Sequence, residues 1–350
     1  MGQKRKTLIS VVVPVYNEEG NVQRFYDAVS AALGPLSSRY DFEFIFTDNH
    51  SEDLTFELLK ELARKDSRIR AYRFSRNFGF QRSILGGYRL ARGAAAIQID
   101  CDLQDPPDVI PEFIAKWEEG YAVVYGIRST RPEALPMRAV RKLFYRLLDR
   151  LSETELPHDA GDFRLVDRRV LDIITNIDDS RPYLRGMIAN VGFRQTGVSY
   201  DRNQRLAGDS KFSLRDLIRL ALDAIANHSV TPLKIASLAG VAIMLASVGT
   251  AIFFLVNYFY YGDTWPPGFA TLIIALLFLS GMNALFLGLM GEYIGRIYLQ
   301  VKRRPTAIIE AAVDGGAAAS GQIIKDANLA IDGRRTGDRI PEIVGSSVGR

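Results

Sequence analysis

The segment Leu8–Glu19, LISVVVPVYNEE, decides how the chain is read. A short β-branched run that ends abruptly in proline and polar residues reads as a buried strand. Glu19–Leu33 then carries apolar residues at helical spacing. Outward from this pair the pattern repeats. Strands are predicted at Phe42–Thr47, Ile69–Phe74, Ala95–Ile99 and Tyr121–Tyr125, with helices at Asp53–Lys65, Arg82–Ala91 and Pro106–Glu118. Alternation of this kind predicts an α/β fold, a mostly parallel sheet with helices on both faces. Ligands of such sheets bind beyond the carboxyl ends of the strands. The segments there are Pro14–Glu18, Asp48–Ser51, Ser75–Gly79, Asp100–Asp105 and Gly126–Arg128.

Composition narrows the classes. With 350 residues, 47% hydrophobic, the chain is neither disordered nor a many-span transporter. A net charge of +4 suits an anionic substrate or a membrane surface and is too weak to argue for nucleic acid. The single cysteine, Cys101, excludes an intrachain disulfide and a CxxC metal site. His50, His158 and His228 have no metal-ligand spacing, and the first loop has no Gly-x-Gly-x-x-Gly. Asp100-Cys101-Asp102, by contrast, puts two carboxylates on a tight turn at a strand end. Such a pair shares one hard cation, Mg²⁺ or Mn²⁺, and leaves room for a substrate diphosphate in its shell.

Two long apolar runs come late. Leu233–Phe259 has one charge, Lys234, at its edge, and Phe269–Met290 has none. Each exceeds the roughly 20 residues that cross a bilayer core. Arg215, Arg219 and Lys234 precede the first, and Arg296, Lys302, Arg303 and Arg304 follow the second, whereas the connector carries only Asp263. The positive-inside rule then places both flanks, and the soluble domain, in the cytoplasm. Ser213–Asn227 is an amphipathic helix that either lies in the lipid interface or packs on the catalytic domain. The expected domains are 1–200 catalytic, 201–231 a loop and juxtamembrane helix, 232–294 two membrane helices, and 295–350 a flexible cytoplasmic tail. A homo-oligomer is compatible with two associating spans.

Several long segments in order carry a family resemblance. They are VVVPVYNEEGNV (Val11–Val22), Ser75–Gly93, Ile99–Arg128, Gly161–Asp172, Tyr183–Arg202, Arg205–Ile225 and GEYIGRIYLQVKRRP (Gly291–Pro305). Over residues 8–300 the chain resembles glycosyltransferase family 2, in the polyprenyl-phosphate group of dolichol-phosphate mannose synthases and bactoprenol glucosyltransferases. The resemblance implies a GT-A fold, a UDP- or GDP-linked nucleotide-sugar donor, a polyprenyl-phosphate acceptor and a place in the bacterial inner membrane.

By matched position it implies further roles. Pro14, Tyr16 and Glu18 contact the nucleotide, as does Asp48, although the family's Asp-Asp-Gly-Ser reads Asp48-Asn49-His50-Ser51 here. Asp102 and Gln104, with Asp100 nearby, contact the metal. Arg128 faces the phosphates, and Arg205 and Lys211 close over the donor. Asp162 stands at the position of the proposed catalytic carboxylate. Apart from the resemblance, Arg138, Arg141 and Arg146 recur at helical spacing on Pro136–Leu151, and one or more of them, Arg138 first, is a candidate for the acceptor phosphate.

The chemistry is coherent without the family. Breaking a sugar–diphosphate bond builds negative charge that a divalent ion, Arg128, Arg205 and Lys211 would offset. A phosphate monoester with a second pKa of about 6 is already largely dianionic at neutral pH, so Asp162 is expected to position rather than deprotonate. Direct displacement would invert the anomeric centre. A processive polysaccharide synthase would carry Gln-x-x-Arg-Trp and more spans, which this sequence lacks. A catalytically silent membrane-tethered scaffold would not need Asp100, Asp102, Asp162, Arg205 and Lys211 together.

Overall fold

The computed structural model describes residues 6–128, 160–179, 182–202 and 268–332 (303, 316, 319 and 320 apart), with scattered positions in 238–260. Arg138, Arg141, Arg146, His158, Arg205, Lys211, His228, the amphipathic helix Ser213–Asn227 and connector residues 261–267 lie outside the described residues. The chain divides into two compact units. One takes in residues 1–134, 156–209 and 303–350, and the other 135–155 and 210–302.

The first unit is built on one sheet. β1 (Thr7–Val15) pairs in parallel with β2 (Tyr40–Asp48) and with β4 (Ala95–Gln98), and β2 pairs in parallel with β3 (Ile69–Phe74). β6 (Ala160–Asp167) lies antiparallel between β4 and β5 (Val123–Arg128), and β7 (Gln195–Tyr200) runs parallel to β5 at that edge. The first five strands stand where the sequence predicts them, within a few residues.

β1 is buried on both faces, and its side chains split between two cores. Ile9, Val11, Val13 and Val15 join Phe42, Phe44 and Phe46 in a core with α1 (Val22–Leu33), α2 (Thr55–Lys65) and α4 (Ile110–Glu118). Val12 and Ile45 face the other core, under α3 (Phe80–Leu90), α5 (Arg168–Asn176) and α6 (Leu184–Asn190). Gly87 lets α3 approach β1: a Cβ there would stand 2.3 Å from Val12 Cγ1.

The tail departs from expectation. Residues 304–332 are not a loose end but part of the first unit. β8 (Ile309–Asp314) adds antiparallel to the free edge of β3, β9 (Ala317–Ala318) folds back on it, and α8 (Gly321–Ile331) follows. The small residues of the tail permit close packing. Ala307, Ile309, Ala312, Ala327 and Ile331 are buried in the second core, and a Cβ on Gly86 of α3 would touch Ile331 Cδ1 at 3.6 Å.

In the second unit, α7 runs unbroken from Phe269 to Val301, 33 residues, or about 50 Å at ~1.5 Å per residue. Phe286 on it lies within 3.8 Å of where a Cβ on Gly240 would stand. Counting only the described residues, no helix is long and apolar enough to cross a membrane, so the expected pair of spans is left without structural support of that kind.

Arg89 of α3 ties the tail down. It donates to the carbonyl oxygens of Thr175 at 3.0 Å, Ile177 at 3.4 Å and Ile331, and to Thr306 Oγ1 at 2.8 Å. Replacing it by methionine keeps the bulk and leaves several acceptors unpaired. Arg89→Met should cost about 3 kcal/mol of stability, read by equilibrium unfolding. An unaltered transition would show that the tail docks independently of this arginine.

Candidate active site

Four loops converge at the carboxyl ends of β1, β2, β3 and β4. The β1–β2 register sets Val15 opposite Asp48, so the first two loops leave the sheet side by side. They are then stitched together. Asn17 N–H donates to Ser51 Oγ at 2.9 Å, Glu18 N–H to Thr55 Oγ1 at 2.8 Å, and Glu52 N–H to Asn17 Oδ1 at 2.8 Å. Asn49 joins the third loop: it donates to Asn77 Oδ1 at 2.8 Å and accepts from Phe78 N–H at 2.9 Å. Among the described residues, the non-glycine positions with positive φ are Asn17 (55°), His50 (66°) and Leu103 (55°), one in each loop after β1, β2 and β4. Such backbone is costly and concentrates at functional sites.

The loops enclose a cavity of about 430 Å³. Its wall includes Pro14, Tyr16, Glu18, Asn49, Asp100 and Asp102. Asn77, Gly79, Phe80 and Ser83, from the Ser75–Gly93 segment, also line it. Tyr16 is 43% exposed, a ring free to meet a planar ligand.

Four expected site residues lie off this wall: Asp48, Gln104, Arg128 and Asp162. Asp48 is fully buried beneath its own turn, where Oδ1 accepts from Ser51 N–H at 3.0 Å and Ser51 Oγ at 2.5 Å. Successive side chains leaving a strand point opposite ways, so Asn49 faces the cavity instead. Gln104 is also buried: the chain reverses at Leu103, and the Gln104 N–H donates to Asp102 Oδ1 at 3.1 Å.

Behind Asp100 lies a dense charge cluster. Tyr200 donates to Asp105 Oδ1 at 2.6 Å, and Arg128 stands 3.5 Å from the same oxygen. Asp162 of β6 accepts two hydrogen bonds from Arg185 of α6, each 2.9 Å, and Arg164 lies 3.5 Å away. Burial alone would raise the Asp162 carboxyl, but Arg185, Arg164 and Arg128 hold it below the usual range. The Asp100 carboxyl moves the other way. Burial first, then the carboxylates of Asp105, Asp162 and Asp102, push it up to about 8, against the pull of Arg128.

Sequence reading passed over Arg185 and the Asn49–Asn77 pair. Arg185 and Asn77 stand in the quoted Tyr183–Arg202 and Ser75–Gly93 segments and Asn49 in Asp48–Ser51, without a role attached. Arg138, Arg205 and Lys211 fall outside the described residues, so their places in the site are not given.

The arrangement can bind a flat, polyanionic ligand that brings or shares a cation. Comparison with known proteins gives the family. The family model described as glycosyl transferase family 2 matches residues 10–174. The chain is 41% identical over 303 residues to the Bacillus subtilis (strain 168) protein named "Uncharacterized glycosyltransferase YkcC", covering 86% of this chain and 93% of that one. It is 35% identical over 305 residues to the "SfII prophage-derived bactoprenol glucosyl transferase" of Shigella flexneri, covering 86% and 97%. Among solved structures, the mannosyltransferase PcManGT from Pyrobaculum calidifontis, in complex with GDP-Man and Mn²⁺, aligns with a TM-score of 0.46 at 17% identity, covering 84% and 85%.

The Asp100 proton has a measurable consequence. An unfolded chain ionises this carboxyl near ~4, whereas the native state keeps its proton until about 8. The native state therefore binds the extra proton between these values, and stability falls as pH rises through that window. Melting of cation-free protein from about pH 5 to about pH 8 should show the decline, and Asp100→Asn should flatten it. An identical slope in the variant would mean that Asp100 ionises normally.

Proposed function

We propose that this chain, which belongs to glycosyl transferase family 2, moves a sugar from a UDP- or GDP-linked donor to a polyprenyl phosphate, with inversion at the anomeric carbon. That it is a glycosyltransferase follows from the family. The donor, acceptor and stereochemistry are our reading. One observation carries it: Asp100 and Asp102 face a cavity that Tyr16 and Asn49 also wall, with Asp162 and Arg128 close enough to shift the Asp100 carboxyl. The name of the Shigella flexneri relative supports the acceptor.

Asp100 and Asp102 are the residues that would hold Mg²⁺ or Mn²⁺. Their oxygens are hard donors, and the proton retained by Asp100 signals surplus negative charge that a cation would relieve. Among the described residues no group of three or more His, Cys, Asp or Glu forms a cage. When bound, it supplies charge neutralisation for the departing nucleoside diphosphate.

The remaining roles fall to side chains. Tyr16 and Asn49 bind and orient the nucleoside. Asp162 stays ionised with both oxygens on Arg185, so it is a poor proton acceptor. It fixes a guanidinium that is still partly exposed and can meet the acceptor phosphate. That phosphate, largely dianionic at neutral pH, attacks without a base. Arg205 and Lys211 close over the donor and expel water.

For the membrane we propose two spans, within Leu233–Phe259 and within α7, and a cytoplasmic active site. Supporting this are the charge-free stretch Phe269–Met290 and the basic flanks in the sequence. A cysteine placed in Gly262–Gly268, in a Cys101→Ser background, should react with an impermeant reagent on intact cells. One placed near Lys302 should not, and the reverse pattern would overturn this topology.

The activity test offers UDP- and GDP-sugars with undecaprenyl phosphate and, separately, dolichyl phosphate to the full chain. One donor should give a lipid-linked product, β-linked from an α-linked donor. EDTA should abolish it, and Asp102→Asn should reduce turnover on the order of 10²-fold or more. Full activity in EDTA would remove the cation from the mechanism. Failure with every donor, in protein that binds nucleotide, would favour a silent scaffold.

A further inference from the structure

The second loop is held from outside the cavity. Arg73, near the end of β3, reaches four groups at once. Its Nη2 donates to Ser51 O at 3.0 Å, its Nη1 lies 3.8 Å from Asp48 Oδ2, its guanidinium stands over the Phe56 ring at 5.5 Å, and its Nε donates to Glu310 Oε1 at 2.9 Å. Three of these partners belong to β2, its turn and α2. The fourth comes from β8, a strand made only after α7.

Glu310 reaches Arg73 through an irregularity. In the β3–β8 ladder Arg73 pairs with Ala311 and Phe74 with Ile309, so Glu310 is the extra residue of a β-bulge. Bulges re-aim a side chain and favour the neighbourhood of active sites. Here the carboxylate points toward the β2 turn, where it also lies 3.4 Å from His50 Nδ1. His50 holds a left-handed backbone, a costly conformation that needs support from its surroundings. Its Nδ1 also lies 2.9 Å from Phe74 O.

We infer that Glu310 is a positioning residue for nucleotide binding, which holds the Asp48–Ser51 turn in place through Arg73. It does not line the cavity. Its effect travels from Arg73 to Ser51, which receives the Asn17 N–H beside Tyr16, and to the turn that carries Asn49. The tail therefore contributes to the donor site as well as to the fold. The inference rests on the reading of this cavity as the nucleotide site.

The test uses the full chain with Mn²⁺ and either UDP or GDP, whichever the wild type binds. Glu310→Ala should weaken nucleotide binding about fivefold and raise the donor KM to match, with kcat within about twofold. Glu310→Gln, which keeps an acceptor for Arg73, should recover part of the loss. Arg73→Met should weaken binding at least as much, and adding Glu310→Ala to it should cause no further loss. Tyr16→Ala separates the two levels of the argument. If it weakens binding while Glu310→Ala binds as wild type, or lowers stability alone, Glu310 is structural and the inference fails. If Tyr16→Ala also binds fully, or the wild type binds neither nucleotide, the reading of the cavity itself fails.

Discussion

The parallel pairing of β1 with β2 on one side and β4 on the other is the constraint on which the site depends. It brings three strand ends to one edge of the sheet, and each end turns sharply through a residue in left-handed backbone: Asn17, His50 and Leu103. The loops could not hold these conformations alone. The first two are held by bonds to a neighbouring loop, Asn17 to Ser51 and Glu52, and Asn49 to Asn77 and Phe78. The sheet supplies the alignment and the cross-loop hydrogen bonds convert it into a shaped wall.

Around that wall the carboxylates are partnered differently. Asp100 and Asp102 face the cavity, while Asp105 and Asp162 lie off it, each already matched to a partner. These two spend their hydrogen-bonding capacity on Tyr200, Arg128 and Arg185, so they act on Asp100 through space rather than by contact. Arg164, buried beside Asp162 and bonded to the carbonyl oxygens of Gly161 and Asp162, balances the interior without reaching the cavity.

Much of this was legible before any coordinates. An apolar run that ends abruptly in carboxylates, as at Ile99–Asp102, reports both a buried strand and a polar strand end, because the two requirements write adjacent residues. What escaped reading depends on distant partners. β6 carries Asp162 and Arg164 in its interior, and charged residues hide a strand unless Arg185, 23 positions on, is known to pair with one of them. Asp48 and Asn49 look interchangeable in sequence, and only strand alternation decides which one faces inward. β8 was hidden by its alanines, since small side chains carry little hydrophobic signal yet fit closely against β3 and α3.

The position of β8 in the chain has a consequence for biogenesis. The β3 edge is formed early, but its partner strand is encoded beyond α7. At roughly 5–20 residues per second of synthesis, that edge waits on the order of tens of seconds for its neighbour. An unpaired edge strand is a template for wrong pairing with other chains. A nearly complete sheet therefore stays open along one side until the segment beyond α7 has been synthesised, a vulnerable interval built into the order of the elements.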